Sequence, residues 1–163
     1  MKKSDVIPGK IYERKALVRK LAQERMLGKK VAFTNGCFDI LHPGHIASLS
    51  QAAATADFLV VGINSDASTK KLKGEGRPIN GEQSRALIMA ALLVVDAVTI
   101  FDEDTPLHLI IAVKPDVLVK GGDYTLEQIV GAKEIIAYGG KVVINPIVEG
   151  YSTTGILEKI KSL

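Results

Sequence analysis

The sequence predicts an α/β fold, a doubly wound parallel sheet with helices on both faces. Three observations predict it. Apolar runs of strand length alternate with amphipathic segments of helix length, the pattern of repeated βαβ units. Those runs are apolar throughout, as in 58–63, FLVVGI, rather than at every second position. A strand of that kind is covered on both faces. Polar segments, three of the four containing glycine, follow the strands at 34–45, 64–66, 120–124 and 147–154. In open parallel sheets, ligands bind beyond the carboxyl ends of the strands, where the winding direction switches.

The first helix spans 11–27, with Ile11, Ala16, Leu17, Leu21 and Ala22 among charged residues, and Gly28 ends it. Residues 1–28 are expected to form a helical segment packed on one domain built from 29–163. Residues 30–34 form a short buried strand. Residues 43–54 form a helix with Pro43 at its first position, where an N–H has no intrahelical partner to lose. After strand 58–63 comes a short helix, 65–72, capped by Asn64 or Ser65. The segment 73–81 is a polar loop with three glycines and a proline. Helix 82–94, strand 97–101 and helix 106–113 follow. Strand 117–119 runs into KGGDY, and 126–138 is helical with a break at Gly131. Strand 141–144 and helix 153–161 close the chain.

The 163 residues are 47% hydrophobic and 24% charged, ordinary globular composition that argues against disorder. A net charge of +3 is too small to point to nucleic acid or a membrane surface. Aromatic residues make up 5% and tryptophan is absent, which leaves few stacking platforms for bases. The single cysteine, Cys37, excludes an internal disulfide framework, and with three histidines a Cys/His zinc finger is excluded too. The basic N-terminus is not followed by a signal-type apolar region, and no run approaches membrane-spanning length. A cytoplasmic location is therefore expected, with neither membrane nor nucleic acid as partner.

The loop after the first strand carries the chemistry. It reads Thr34-Asn35-Gly36-Cys37-Phe38-Asp39-Ile40-Leu41-His42-Pro43-Gly44-His45. Gly36 and Gly44 permit close backbone approach to a ligand. The helix that follows offers free N–H groups and a partial positive charge at its N-terminus, an anion site. His42 and His45 add imidazole donors. No group here is an obvious covalent nucleophile. Taken alone, the two histidines also suit helix capping, or a metal site with Cys37 and Asp39. Other phosphate motifs are absent. There is no GxxxxGK[ST], Gly74-Glu75-Gly76 lacks the third glycine of GxGxxG, and Ser68-Thr69-Lys70-Lys71 matches SxxK without its companion motifs.

The run TNGCFDILHPGH resembles the signature of the nucleotidyltransferase superfamily with the HxGH motif. Gly150-Tyr151-Ser152-Thr153-Thr154 resembles that superfamily's second signature, a Ser-Thr-Thr loop opening the last helix. Four segments sharpen the likeness: NSDASTKKLKGEGRPIN at 64–80, FDEDTP at 101–106, PDVLVKGGDY at 115–124, and GYSTT. Together they are similar to the adenylyltransferases of bacterial ADP-heptose synthesis over nearly all of 30–163.

The resemblance implies a Rossmann-like sheet and a specific reaction. The adenylyl group of ATP would pass to D-glycero-D-manno-heptose 1-phosphate, giving ADP-heptose and pyrophosphate for lipopolysaccharide and surface-glycan precursors. The attack would be in line, without a covalent intermediate. Mg2+ is expected, carried by the triphosphate, and no protein metal ligand is assigned. By resemblance, His42 and His45 are catalytic. The nucleotide would be held by Thr34, Asn35, Gly36, Cys37, Phe38, Gly44, Lys120, Gly121, Gly122, Ser152, Thr153 and Thr154. The sugar phosphate would meet Asp123, Arg77, Arg85 and Lys71.

One departure stands out. Some cytidylyltransferase relatives carry a basic residue just before Glu-Gly-x-Ser-Thr-Thr, whereas Ile147 and Val148 precede Glu149-Gly150 here. Lys70, Lys71 and Lys73 are then candidates for phosphate clamping. That absence and the KGGDY loop weigh against a cytidylyltransferase for glycerol 3-phosphate or a related alcohol phosphate. The intact histidines and Ser-Thr-Thr weigh against a non-catalytic ATP sensor. Many relatives are fused behind a ribokinase-like sugar kinase. At 163 residues the chain is expected to be the stand-alone form, working with a separate heptose kinase. Homodimers, common among relatives, are expected as well.

Overall fold

The protein is described by a computed structural model covering residues 5–146, 148 and 150–163. Residues 1–4 of the N-terminal segment, and Ile147 and Glu149 of the 147–154 loop, lie outside the described residues. In chain order the elements are α1 (Arg14–Met26), β1 (Val31–Gly36), α2 (Pro43–Ala53), β2 (Phe58–Asn64), α3 (Asp66–Lys73) and α4 (Glu82–Ala90). They continue as β3 (Ala97–Phe101), α5 (Leu107–Val113), β4 (Val117–Gly121), α6 (Ala132–Ala137), β5 (Lys141–Asn145) and α7 (Thr153–Lys161). Short 3-10 turns occupy Pro8–Lys10 and Leu126–Gln128.

The five strands form one parallel sheet in the order β3-β2-β1-β4-β5, a Rossmann-like arrangement. Alternation along each strand divides the core in two. Val31 and Phe33 of β1 face Leu17 and Leu21 of α1, Leu109, Ile110 and Val113 of α5, and Ile135 of α6. Ala32 of β1 faces the opposite way, with Leu49 and Ala52 of α2 and Ala86, Met89 and Ala90 of α4. Helices therefore cover both faces, which is why the strands read as unbroken apolar runs. Residues 5–28 contribute to the first of these layers through Leu17 and Leu21, both fully buried. Among the described residues, no helix is long and apolar enough to cross a membrane.

Several boundaries differ from those the sequence predicts, each for a tertiary reason. The first helix starts at Arg14 because Ile11 bridges Val98 of β3 and the Tyr12 N–H donates to the Val98 carbonyl at 2.8 Å. The helix expected over 82–94 stops at Ala90. Beyond it, the Lys10 ammonium donates to the Val95 carbonyl at 2.6 Å, and Asp96 accepts from the Leu59 N–H at 2.8 Å. Both contacts need an irregular turn there. The expected helix 126–138 is a 3-10 turn followed by α6, parted at Gly131, which has a φ of 86°. A Cβ at Gly131 would lie 2.9 Å from Ile110 Cδ1, so glycine meets both the conformation and the close approach. Ser65, not Asn64, caps α3, its Oγ accepting from the Ser68 N–H at 3.0 Å.

Gly62 lies in the middle of β2, where a Cβ would come within 2.9 Å of the Phe33 ring and 3.1 Å of Leu109. Both neighbours are fully buried. Gly62→Val is expected to lower stability by about 1–3 kcal/mol, since overpacking in a filled core displaces its neighbours. Urea unfolding checks this, and an unchanged midpoint would show spare room beside Phe33.

Candidate active site

The chain winds from β1 through β2 to β3 on one side, then crosses to β4 and β5 on the other. The switch in direction therefore lies between β1 and β4. Pairing of β1 with β2 runs the full length, from Val31↔Phe58 to Gly36↔Ile63. Pairing of β1 with β4 is confined to Ala32↔Val117 and Phe33↔Leu118. Past that point the two strands part, and a cleft of about 650 Å3 opens beyond their carboxyl ends. It is lined by Asn35, Gly36, Cys37, Phe38, Asp39, His42 and His45 from the signature loop, and by Lys120 and Gly121 from β4. Asn64, Leu72, Lys73 and Arg77 line it on one side, and Tyr151, Ser152, Thr153 and Thr154 on another.

His42 precedes Pro43 and takes the extended conformation that a following proline favours, φ −145° and ψ 166°. It thereby becomes the N-cap of α2, and His45 falls one turn later on the same face. The two imidazoles stack with centroids 3.8 Å apart and planes 21° from parallel. The edge of Phe38 meets His45 at 5.4 Å, and the Tyr151 ring lies 6.5 Å from His42, nearly parallel to it. Gly44 makes the stack possible: a Cβ there would lie 3.1 Å from His42 Nδ1 and 3.3 Å from Tyr151 Cβ. Burial pushes His45 down to about 4, with repulsion from His42 adding to it, and burial lowers His42 as well. Both rings are neutral near pH 7, so each keeps one N–H donor and one lone pair. Among the described residues, neither Nδ1 has a hydrogen-bond partner.

A polar frame holds the signature loop from below. Arg85 of α4 is fully buried. Its Nη1 donates to the Cys37 carbonyl at 2.6 Å, its Nε to the Asn80 carbonyl at 2.8 Å, and its Nη2 to Asp66 Oδ1 at 2.8 Å. Asp39, also buried, accepts from Arg77 Nε at 2.6 Å and from the N–H groups of Ile79 and Asn80 at 2.9 and 2.8 Å. Burial alone would raise the Asp39 carboxyl; the hydrogen bonds from Asn80, Ile79 and Arg77 outweigh it and hold the group below the usual range. The loop at 74–81 is thus tied to the signature loop through one carboxylate and one guanidinium.

At the parting of the strands, Lys120 Nζ donates to Asn35 Oδ1 at 2.6 Å. Burial lowers this ammonium to about 8, which leaves it mostly charged at pH 7. Ser152 caps α7, its Oγ accepting from the Gly155 N–H at 2.9 Å, and Thr153 Oγ1 donates to the Ile40 carbonyl at 3.4 Å. The first turn of α7 therefore faces the signature loop across the cleft. A Cβ at Gly121 would lie 3.1 Å from Ser48 Oγ, a tight approach.

Of the sequence-predicted site residues, the cleft collects Asn35, Gly36, Cys37, Phe38, His42, His45, Arg77, Lys120, Gly121, Ser152, Thr153 and Thr154. Gly44 lies against a neighbouring cavity of about 170 Å3 behind the histidines. Five others are not among the residues that line the cleft. Arg85 does not reach the cleft, because its guanidinium is wholly engaged beneath the loop. Lys71 pairs with Asp104 at 2.9 Å on the outer surface. Asp123 is exposed and is not among the lining residues. Thr34 is buried within β1, and Gly122 turns inward, its N–H donating to the Asn145 carbonyl at 3.1 Å. Of the three lysines at 70, 71 and 73, Lys73 lines the cleft.

Sequence reasoning missed Asn64, the ring of Tyr151 and the clamping role of Asp39. Tyr151 and Asp39 lie inside the signature motifs. Their partners are far away in the chain, and no local signal names them. The described residues contain no group of three or more His, Cys, Asp or Glu placed to hold a metal ion. Asp39 is committed to Arg77, Ile79 and Asn80.

A neutral histidine pair, a helix N-terminus and a lysine at a sheet's switch point suit an anionic ligand. The cytidylyltransferase-like family model matches residues 33–159. The chain belongs to that family of nucleotidyltransferases. Within it, the chain is 54% identical over 153 residues to the bifunctional protein HldE of Caulobacter vibrioides, covering 94% of this chain and 32% of that protein. It is 58% identical over 144 residues to the bifunctional protein HldE of Hyphomonas neptunium, covering 88% and 30%. The chain thus spans about a third of the length of the curated relatives it matches.

Among solved structures, the lipopolysaccharide core biosynthesis protein of Thermoplasma volcanium is 34% identical with a TM-score of 0.61. The match covers 77% of this chain and 100% of that one. Pantoate-beta-alanine ligase of Francisella tularensis, solved with beta-gamma ATP and beta-alanine, shares the fold at 16% identity and a TM-score of 0.60. That match covers 94% of this chain and 78% of the other.

Replacing Arg85 by leucine is expected to cost about 3 kcal/mol, because the Cys37 and Asn80 carbonyls lose charged donors. The loop at 74–81 should then become readily cleaved by protease. Unchanged thermal stability and cleavage would show that the frame does not depend on Arg85.

Proposed function

We propose that the chain transfers the adenylyl group of ATP to D-glycero-D-manno-heptose 1-phosphate, releasing pyrophosphate and ADP-heptose. The observation that carries this is the stacked, neutral His42–His45 pair facing Lys120 and the first turn of α7 across one cleft. Every group there is suited to hold phosphate oxygens. The sequence signatures supply the choice of nucleotide and sugar. The likeness to the HldE relatives and to the lipopolysaccharide core biosynthesis protein supports the same assignment.

A phosphate oxygen of the sugar forms a bond to the α-phosphorus as the bond from that phosphorus to the bridging oxygen of pyrophosphate breaks. The attacking oxygen is already anionic, so no side chain has to remove a proton. Positioning and charge stabilisation supply the rate. His42 and His45, held by stacking and by Gly44, donate N–H groups to the triphosphate as charge moves toward the leaving pyrophosphate. Their neutrality suits this, since an uncharged donor needs no counter-ion until the phosphates arrive. Ser152, Thr153 and Thr154 present the N-terminus of α7 to the β- and γ-phosphates. Asn35, Gly36, Cys37, Phe38 and Gly121 line the nucleotide side, where glycine lets the ligand approach the backbone.

On the opposite side Arg77, with Nε held by Asp39, turns its remaining donors toward the acceptor's phosphate beside Lys73. Mg2+ carried by ATP would supply neutralisation of the triphosphate charge, with no ligand from this chain assigned to it. We assign the reaction to the cytoplasm, where ATP is at hand, and to a homodimeric enzyme. Its substrate comes from a heptose kinase whose residues lie outside these 163, in keeping with relatives named bifunctional of which this chain spans about a third.

Pyrophosphate release with magnesium and the heptose 1-phosphate is expected with ATP and not with CTP. Release with CTP and an alcohol phosphate would overturn the adenylyl assignment in favour of a cytidylyltransferase. ATP binding without release on any sugar or alcohol phosphate would leave a sensor. His45→Ala is expected to lower kcat by about 10²–10³ with the fold intact, as loss of a donor to developing charge does. A loss under threefold at saturating ATP would remove His45 from catalysis.

A further inference from the structure

The cations around the cleft are paired side chains, the exposed Lys73, which stays in water, and Lys120. Arg77 is paired with Asp39 and Arg85 with Asp66. Further out, Lys70 and Lys71 are paired with Glu75 and Asp104 at the surface. Lys120 differs. It sits on β4, one residue from the end of the strand, and is partly buried. Its Nζ meets the neutral amide oxygen of Asn35, and among the described residues no carboxylate lies within ion-pair distance of it. An ammonium taken out of water without a counter-charge is costly, and a lysine that is only structural is ordinarily paired or left exposed.

Its place in the sheet is equally particular. Pairing of β1 with β4 ends at Phe33↔Leu118, two residues before Lys120, while β4 continues beside β5 to Gly121↔Asn145. Lys120 therefore stands where the sheet splits, and its side chain reaches across the gap to Asn35 in the signature loop. The positive charge is carried to the floor of the crevice, into the lining shared with His42, His45 and the first turn of α7. Burial keeps the ammonium near 8, still charged at neutral pH and sensitive to an arriving anion.

We propose that Lys120 is a further catalytic residue, whose ammonium, held at the split by Asn35, contacts the phosphoryl group at which nucleotide and acceptor meet. The missing counter-charge is the ligand's own. A fixed cation there stabilises the charge gathered on the phosphoryl oxygens as one bond forms and the other breaks. The proposal rests on adenylyl transfer at this cleft. The rival role is a strut that bridges the parted strands.

Two variants separate them. Lys120→Gln can still bridge to Asn35 by an amide hydrogen bond and lacks the charge. Lys120→Arg keeps the charge. Lys120→Gln is expected to lower kcat about 10²–10³-fold with its melting temperature within a few degrees of the parent, and Lys120→Arg to recover at least tenfold of that loss. A Lys120→Gln kcat within threefold of the parent, or an arginine variant no better than glutamine, would overturn the proposal. So would unfolding of both variants and of Lys120→Met, which marks a strut. If the parent chain releases no pyrophosphate with any acceptor, adenylyl transfer fails by itself, and calorimetric titration with inorganic tripolyphosphate decides Lys120. A tenfold or greater loss of affinity in Lys120→Gln supports the contact, and equal affinity overturns it.

Discussion

The parting of β1 and β4 beyond Phe33 and Leu118 is the constraint on which the rest of the molecule depends. A parallel sheet wound first one way and then the other has a single place where neighbouring strands send their connections to opposite faces. No connection covers that place, so a crevice forms without any special residue to open it. What the chain adds is the furniture of the crevice. The loop leaving β1 carries the histidines, the end of β4 carries Lys120, and the last helix returns to close the far side. Each comes from a different stretch of the sequence, and each is aimed by the same break in the hydrogen-bond ladder.

Rigidity comes from beneath. Arg85 and Asp39 are buried ionic groups that contact backbone as well as oppositely charged side chains. Buried charge of this sort is tolerated where hydrogen bonds satisfy it, and it specifies one arrangement of the backbone around it. Here that arrangement is the path of the signature loop over α4 and against the loop at 74–81. The histidine stack follows from the path: His42 and His45 can lie 3.8 Å apart because burial keeps both rings uncharged. Two imidazolium rings at that distance would repel. The loop's geometry, the neutrality of the rings and their capacity to donate to phosphate are therefore one property seen at three levels.

Much of the fold is legible in the order of apolar and polar residues. The apolar run 58–63 forms the fully buried β2, and the alternation of runs and amphipathic segments forms the five parallel strands with helices on both faces. Binary patterning carries this because it records only whether a side chain leaves water. Boundaries are less legible where a distant residue sets them. Lys10 and Asp96 shape the turn after α4, and Ile110 demands glycine at 131. The signature loop with its histidines, and the Ser-Thr-Thr turn, are legible as local phosphate chemistry: glycine, imidazole and a helix N-terminus adjacent in sequence.

The sequence by itself determined the sheet, its winding and the family, because each is written in contiguous residues or in their period. Only the tertiary structure decided which charges serve the cleft and which serve the frame. An arginine on a helix reads the same whether it faces solvent, substrate or the underside of a loop, and Arg85 proved to face the loop. Arg77 and Lys120 reach the cleft, while Lys71 and Asp123 do not. Charge is a property of a residue, but whether that charge is paired, buried or free depends on neighbours tens of residues away, and those become neighbours only when the chain folds.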